Sequence, residues 1–228
     1  METEVIIKIC DMTVGHGEKK LCRNVSFEIH EGECIMLCGA NGSVKTTLMK
    51  SLAGRNENSQ CEIAMIPARI PNVKGFTLRE FIRISCYRYS NASGRLSDTY
   101  EKRIDEIENL LGLSLLDSRD ISTLSDGEFQ KACIAAALIR KARLILLDEP
   151  TAFLDAESRI SVLETLRKLT RTSDEGRRRS VLFSTHDLHE GLKVADRVFA
   201  IGSDGLFHVS KDEDASRRAT VTTIFRDI

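Results

Sequence analysis

The sequence predicts an α/β fold: a mainly parallel sheet core with helices on its faces, an N-terminal antiparallel β layer and a helical subdomain. Three observations predict it. Short apolar runs alternate with stretches of helical period along most of the chain. One run, Cys34–Cys38, feeds directly into a glycine-rich turn and then a helix. Another, Leu144–Leu147, ends in two adjacent carboxylates, Asp148 and Glu149. That is the strand end where open parallel sheets place their ligands.

In chain order, Val5–Cys10 and Asn24–His30 read as strands of the N-terminal layer. Cys34–Cys38 is the first core strand, Lys45–Ala53 a helix and Glu62–Ile66 a strand. Thr77–Arg88 and Asp98–Leu111 have helical period, with Ile104, Ile107 and Leu111 on one face and polar Asn91–Ser97 between them. Ser125 and Glu128 have capping-box spacing and open a helix reaching about Lys141. After Leu144–Leu147 come a helix over Ala156–Thr170 with Ile160, Leu163 and Leu166 inward, and a strand at Ser180–Ser184. A helix over Asp187–Ala195 follows, and a strand at Arg197–Ile201 closes the sheet. Arg177–Arg179 reads as a solvated loop and Lys211–Arg218 as a charged peripheral tail. The chain is expected to be one domain, with residues 1–74 and 125–210 forming the core and β layer. Residues 75–124 are the helical subdomain and 211–228 the tail.

Composition excludes several function classes. The 228 residues are 42% hydrophobic and 29% charged with a net charge of -1, so no basic field exists to hold nucleic acid. No apolar run approaches the roughly 20 residues of a membrane span. The N-terminus carries Glu2 and Glu4 rather than the basic start of an export signal, which points to the cytosol. The 7 cysteines include no C-x-x-C pair and are expected to be reduced, buried small hydrophobes.

The segment Gly39-Ala40-Asn41-Gly42-Ser43-Val44-Lys45-Thr46-Thr47 lies between a strand and a helix, the context a phosphate-binding loop requires. Its N–H groups and the helix N-terminus suit an anion. Lys45 suits the β- and γ-phosphates, and Thr46 suits Mg²⁺. Val44 stands where such loops carry Gly. A β-branched residue there is expected to strain the backbone or crowd the phosphates, at about 1–3 kcal/mol. Asp148 is placed to hold Mg²⁺ and Glu149 to act as general base on water. Leu124-Ser125-Asp126-Gly127-Glu128 is a capped helix start and so also an anion site. His186, just past a strand, is a candidate phosphate contact.

In this order the elements resemble the ATP-binding subunit of ABC transporters, over about Val5 to Gly205. The resemblance implies a P-loop NTPase fold of the ABC ATPase type and a head-to-tail dimer enclosing two ATP molecules with Mg²⁺. Gly39, Asn41, Gly42, Ser43, Val44, Lys45, Thr46 and Thr47 would hold one nucleotide. Ser125 and Gly127 of the opposite subunit would cap its γ-phosphate. Asp148 would attend the metal together with Thr46. Glu149 would attend the water and His186 the γ-phosphate. Asp155 would lie in the loop crossing the interface. His16 occupies the position of the family's adenine-stacking aromatic residue, and Ala68 that of its coupling Gln. Asp126 and Glu128 stand where Gly and Gln are commonest. LSDGE with DEPTAFLD is similar to ATPases of iron-siderophore and vitamin B12 importers.

The implied partners are membrane permease subunits and a second ATPase, either the same chain or a different one. The implied location is the cytoplasm, peripheral on the inner face of the membrane. Val44, His16 and Ala68 together predict weak ATP binding and slow or absent hydrolysis. Two other functions stay open: a catalytically weak regulatory or structural subunit, and a soluble ATPase of this type in cofactor assembly.

Overall fold

The computed structural model describes residues 4–16, 19–39, 44–54, 62–70, 74–91, 93–140, 142–152, 154–174 and 176–225. The first two strands, β1 (Val5–His16) and β2 (Lys19–His30), form an antiparallel pair longer than the sequence pattern indicated. Next come β3 (Cys34–Gly39), α1 (Val44–Ala53) and β4 (Ile63–Ile66). The subdomain helices are α2 (Leu78–Ser85), followed by a 3₁₀ turn at Tyr87–Tyr89, and α3 (Asp98–Leu111). The chain continues through α4 (Asp126–Leu138), β5 (Leu144–Leu147) and α5 (Ala156–Arg171). A two-residue hairpin follows, β6 (Ser173–Asp174) with β7 (Arg177–Arg178), then β8 (Ser180–Ser184) and α6 (Leu188–Val194). Last are β9 (Arg197–Ile201), β10 (Phe207–Val209) and α7 (Asp214–Phe225).

The main sheet has the order β10-β9-β3-β8-β5-β4, parallel except for β10. Its parallel strands are buried on both faces, and alternate residues enter two different cores. Ile35, Leu37, Leu144, Leu146 and Leu182 pack with α1 and the β1–β2 layer. Met36, Cys38, Ile145, Leu147, Val181 and Phe183 pack toward the remaining helices. This parity fixes the direction of whatever polar residue ends a strand.

Five expectations are corrected. Ile160 is 44% exposed, because the buried stripe of α5 runs through Val162, Leu163, Leu166 and Leu169, and Ile160 lies outside it. The Arg177–Arg179 run is not a solvated loop: two residues pair in the hairpin, and Arg179 is buried with its guanidinium donating to the Leu138 carbonyl. The sheet does not close at β9, since β10 pairs beyond it. Residues 214–225 form a helix whose Val221 joins the core and whose Arg217 donates to the Asp196 carbonyl, rather than a loose tail. Cys22, Cys34, Cys38, Cys86 and Cys133 are buried thiols. Cys10 is exposed, against expectation, and Cys61 lies outside the described residues.

The segment between β4 and α4 is braced by one arginine. Arg79 reaches Glu101 at 3.1 Å, Asp105 at 2.7 Å, Glu108 at 2.9 Å and Asp117 at 3.5 Å. Its backbone N–H donates to the Asp117 carbonyl, tying α2 to the loop that leads to Ser125. Glu108 is 1% exposed, and its Oε1 and the Oδ1 of Asp117 are both buried without a donor. Burial, with Asp117 alongside, pushes the Glu108 carboxyl up to about 7 from an ordinary 4.5. Between those two values the folded chain holds more protons than the unfolded one, so this group's stabilising contribution falls as pH rises through the window and is lost above about 7. Thermal melts across that range are expected to show wild type losing stability relative to Glu108→Gln as pH rises. Parallel curves for the two proteins refute a raised Glu108 carboxyl in this cluster.

Candidate functional site

β3, β5 and β8 are neighbours in the sheet, so their carboxyl ends open onto the same edge. Gly39 ends β3 where a Cβ would come within 2.8 Å of the Ile201 carbonyl oxygen, and only a residue without one fits there. Ala40, Asn41, Gly42 and Ser43, the middle of the expected phosphate loop, lie outside the described residues. α1 then begins at Val44, with Lys45 and Thr46 in its first turn.

Asp148 has the same parity as Leu144 and Leu146 and so faces α1. Its Oδ2 accepts from Thr46 Oγ1 at 2.7 Å, and its Oδ1 accepts from Ser184 Oγ at 2.9 Å. Leu147 pairs with Phe183, which places Asp148 and Ser184 side by side on adjacent strands. Glu149 turns off the strand with φ 51, left-handed backbone unusual for a residue with a side chain. Its N–H donates to Ser184 Oγ at 2.8 Å, and its Oε1 lies 2.9 Å from His186 Nε2. Lys45 is buried, and its Nζ donates to the Gly39 carbonyl at 2.9 Å.

Two pKa shifts belong to this cluster. Burial raises the Glu149 carboxyl, the nearby Asp148 adds to that, and His186 and Lys45 oppose it. Burial likewise lowers the Lys45 ammonium, against the pull of Glu149 and Asp148. Each group is therefore charged at some expense, and an anionic ligand reaching Lys45 would relieve part of it. The Thr46 hydroxyl and the Asp148 carboxylate are adjacent hard oxygens. They suit a Mg²⁺ that takes its other positions from phosphates and water.

The structure thus brings together Lys45, Thr46, Asp148, Glu149 and His186, with Gly39 behind them. Thr47 follows on α1, where its carbonyl accepts from Ser51. The side chain of His16, the expected adenine-stacking residue, lies outside the described residues. Ala68 follows β4 at the same edge, half-buried. Ser125 and Gly127 stand elsewhere, at the start of α4. Ser125 and Glu128 form the expected capping box. A Cβ on Gly127 would meet Ser158 Oγ at 2.9 Å, so Gly127 permits the close approach of α4 and α5. Asp155 caps α5, accepting from the Ser158 N–H at 2.8 Å.

Val44 is corrected. It is the first residue of a right-handed helix, which a β-branched residue adopts without strain, and its side chain is buried in the core shared with Leu48. The backbone penalty expected at this position is absent. Sequence reasoning missed Ser184. Its only signal is a hydroxyl directly after three apolar residues, at the parity that faces α1.

The ABC transporter family matches residues 22–152 of the chain. The achromobactin transport ATP-binding protein of Dickeya dadantii is 27% identical over 94% of this chain and 86% of its own length. The petrobactin import ATP-binding protein of Bacillus anthracis is 27% identical over 94% of this chain and 84% of its own. A solved ATP-binding cassette of an ABC transporter superposes with a TM-score of 0.82, at 18% identity, over 98% of each chain.

Two outcomes follow from the backbone at this edge. Glu149→Gly is expected to raise stability by about 1 kcal/mol, because left-handed backbone penalises any residue with a Cβ; an unchanged or lower melting temperature contradicts strain at Glu149. Val44→Gly is expected to cost about 2 kcal/mol, from lost apolar burial and a glycine in a helix. A rise in melting temperature there restores the idea that Val44 is strained.

Proposed function

The chain belongs to the ABC transporter family, and on that premise we propose that it binds and hydrolyses ATP to energise a membrane permease. The observation that supports this most directly is the Lys45–Thr46–Asp148–Glu149–His186 cluster at one sheet edge. Lys45 would exchange the Gly39 carbonyl for phosphate oxygens, and the loop and α1 N-terminus would wrap the rest of the triphosphate. Mg²⁺, when bound, supplies charge neutralisation at the phosphates, with Thr46 and Asp148 as its protein oxygens. Glu149 would take the proton of the attacking water. Its raised affinity for protons moves it toward the working range of a general base. His186 would orient Glu149 and reach the γ-phosphate.

Ser125 and Gly127 would complete the site from a second ATPase subunit, the same chain or another, with Asp155 near the crossing loop. Hydrolysis would then follow dimer closure. Relatives named for a siderophore transport system and for Fe(3+) ion import favour import of iron-siderophore complexes. Among the described residues no helix is long and apolar enough to cross a membrane. The chain would attach to its permease at the cytoplasmic, inner face. Ile84 and Tyr87, 53% and 71% exposed, flank a cavity of about 260 Å³ lined also by Phe76 and Leu96 and offer an apolar docking surface.

Turnover would be slow, and Ala68 carries that expectation, since it has no carboxamide for the metal or the permease. Val44, unstrained, does not. The same residue keeps the alternative of a regulatory subunit or a soluble ATPase in view, and turnover with and without the permease separates them. In the assay, wild type is expected to bind and slowly split MgATP, while Glu149→Gln binds it and leaves it intact. Val44→Gly should bind within roughly twofold of wild type, less than about 0.5 kcal/mol. Rates should fall as pH drops through the raised Glu149 value, an acid limb lying above 4.5. Turnover by Glu149→Gln equal to wild type, or no nucleotide binding at all, refutes the proposal.

A further inference from the structure

We infer that Ser184 is a positioning residue of this site, one hydroxyl fixing both the Asp148 carboxylate and the Glu149 backbone; this rests on the ATPase function proposed above. Ser184 is 0% exposed, the last residue of a strand whose Val181, Leu182 and Phe183 are all apolar and buried. A hydroxyl has one proton and two acceptor positions. The Glu149 N–H is itself a donor, at 2.8 Å, so the Ser184 proton is committed to Asp148 Oδ1, at 2.9 Å. The two bonds therefore have a single arrangement.

The consequence is positional. With Oδ1 held by Ser184 and Oδ2 by Thr46, the Asp148 carboxylate cannot rotate without losing a buried hydrogen bond. Its Oδ2 stays beside the Thr46 hydroxyl, where a metal would enter. The same oxygen anchors the amide of Glu149 at the residue whose φ of 51 most needs an anchor. Alanine at 184 leaves the Glu149 N–H and Asp148 Oδ1 without this partner. Threonine keeps the hydroxyl, and cysteine keeps the shape with a weaker donor.

The full-length chain and its Ser184→Ala, Ser184→Cys and Ser184→Thr variants would be compared in three measurements. These are steady-state ATPase, calorimetric ADP affinity with and without Mg²⁺, and thermal melting. Groups that support a metal ligand typically change activity or metal affinity by about 10- to 100-fold when removed. Ser184→Ala is expected to lower kcat by that order with KM for ATP little changed. It should also lose the Mg²⁺-dependent gain in ADP affinity while keeping the Mg²⁺-free affinity. Cysteine should fall between, and threonine should restore both. Alanine or, if it does not fold, cysteine matching wild type in the Mg²⁺-dependent gain overturns the inference. So does threonine failing as alanine does. A wild type that splits no ATP refutes the hydrolytic function instead, and the ADP comparison still decides the role of Ser184.

Discussion

The hydrogen bonds converging on Asp148 are the constraint from which the rest of the edge follows. Thr46 lies 102 residues earlier and Ser184 lies 36 later, yet both bond the same carboxylate. Two strand ends, those of β5 and β8, and the first turn of α1 are thereby held at fixed separations. A buried carboxylate left with one partner would lose much of its compensation for leaving water. The register of β5 with β8 and the seating of α1 are thus coupled through a polar contact, on top of the apolar packing that sets the parity of each strand. Because each of these residues serves strand geometry and site geometry together, a change to any of them alters both.

Burial does a second thing at this edge. Lys45 and Glu149 are each held where their charged form is disfavoured, and each partly rescues the other. In the structure Lys45 donates to the Gly39 carbonyl, and Glu149 keeps His186 within hydrogen-bond reach. A polyphosphate would give Lys45 a stronger partner and leave Glu149 less compensated, hence more ready to accept a proton. On the proposed function, ligand entry and activation of the base would be linked through that one electrostatic exchange. The strained φ of Glu149 fits the same pattern, since strained backbone persists where surrounding bonds over-determine it.

What was legible in the sequence was whatever depends on local pattern. Cys34–Cys38, Leu144–Leu147 and Val181–Phe183 within Ser180–Ser184 are apolar runs, and the structure makes strands of them. The bounds of α3 are those the period gave, and the Ser125–Glu128 spacing does form a capping box. The misses needed tertiary information. Ile160 has an apolar side chain at a plausible spacing, and only the position of the neighbouring layer shows that the stripe of α5 runs past it. Val44 looked strained because a glycine pattern was applied to the loop, whereas the helix begins at Val44 itself and accepts it. Ser184 became visible only when strand register placed it opposite Asp148. α7 was read as a tail because its charges conceal the single buried Val221.

The remaining half of the proposed site carries its own electrostatic problem. α4 begins with Asp126 and Glu128, and Glu128 stays ionised because it accepts from the Ser125 N–H, which lowers its proton affinity. A helix N-terminus attracts anions, but two carboxylates in its first turn already answer that partial charge. On the proposed dimer, closing α4 over a triphosphate brings these negative groups toward the γ-phosphate. Arg119, 3.7 Å from Glu128, offsets only part of that. The attraction must then come from the backbone N–H groups and the Ser125 hydroxyl, which act at short range, while the carboxylates repel at longer range. On the proposed dimer such a closure would be slow to start and firm once made, and the barrier of the proposed cycle would lie in the approach of the two subunits, ahead of the proton transfer to Glu149.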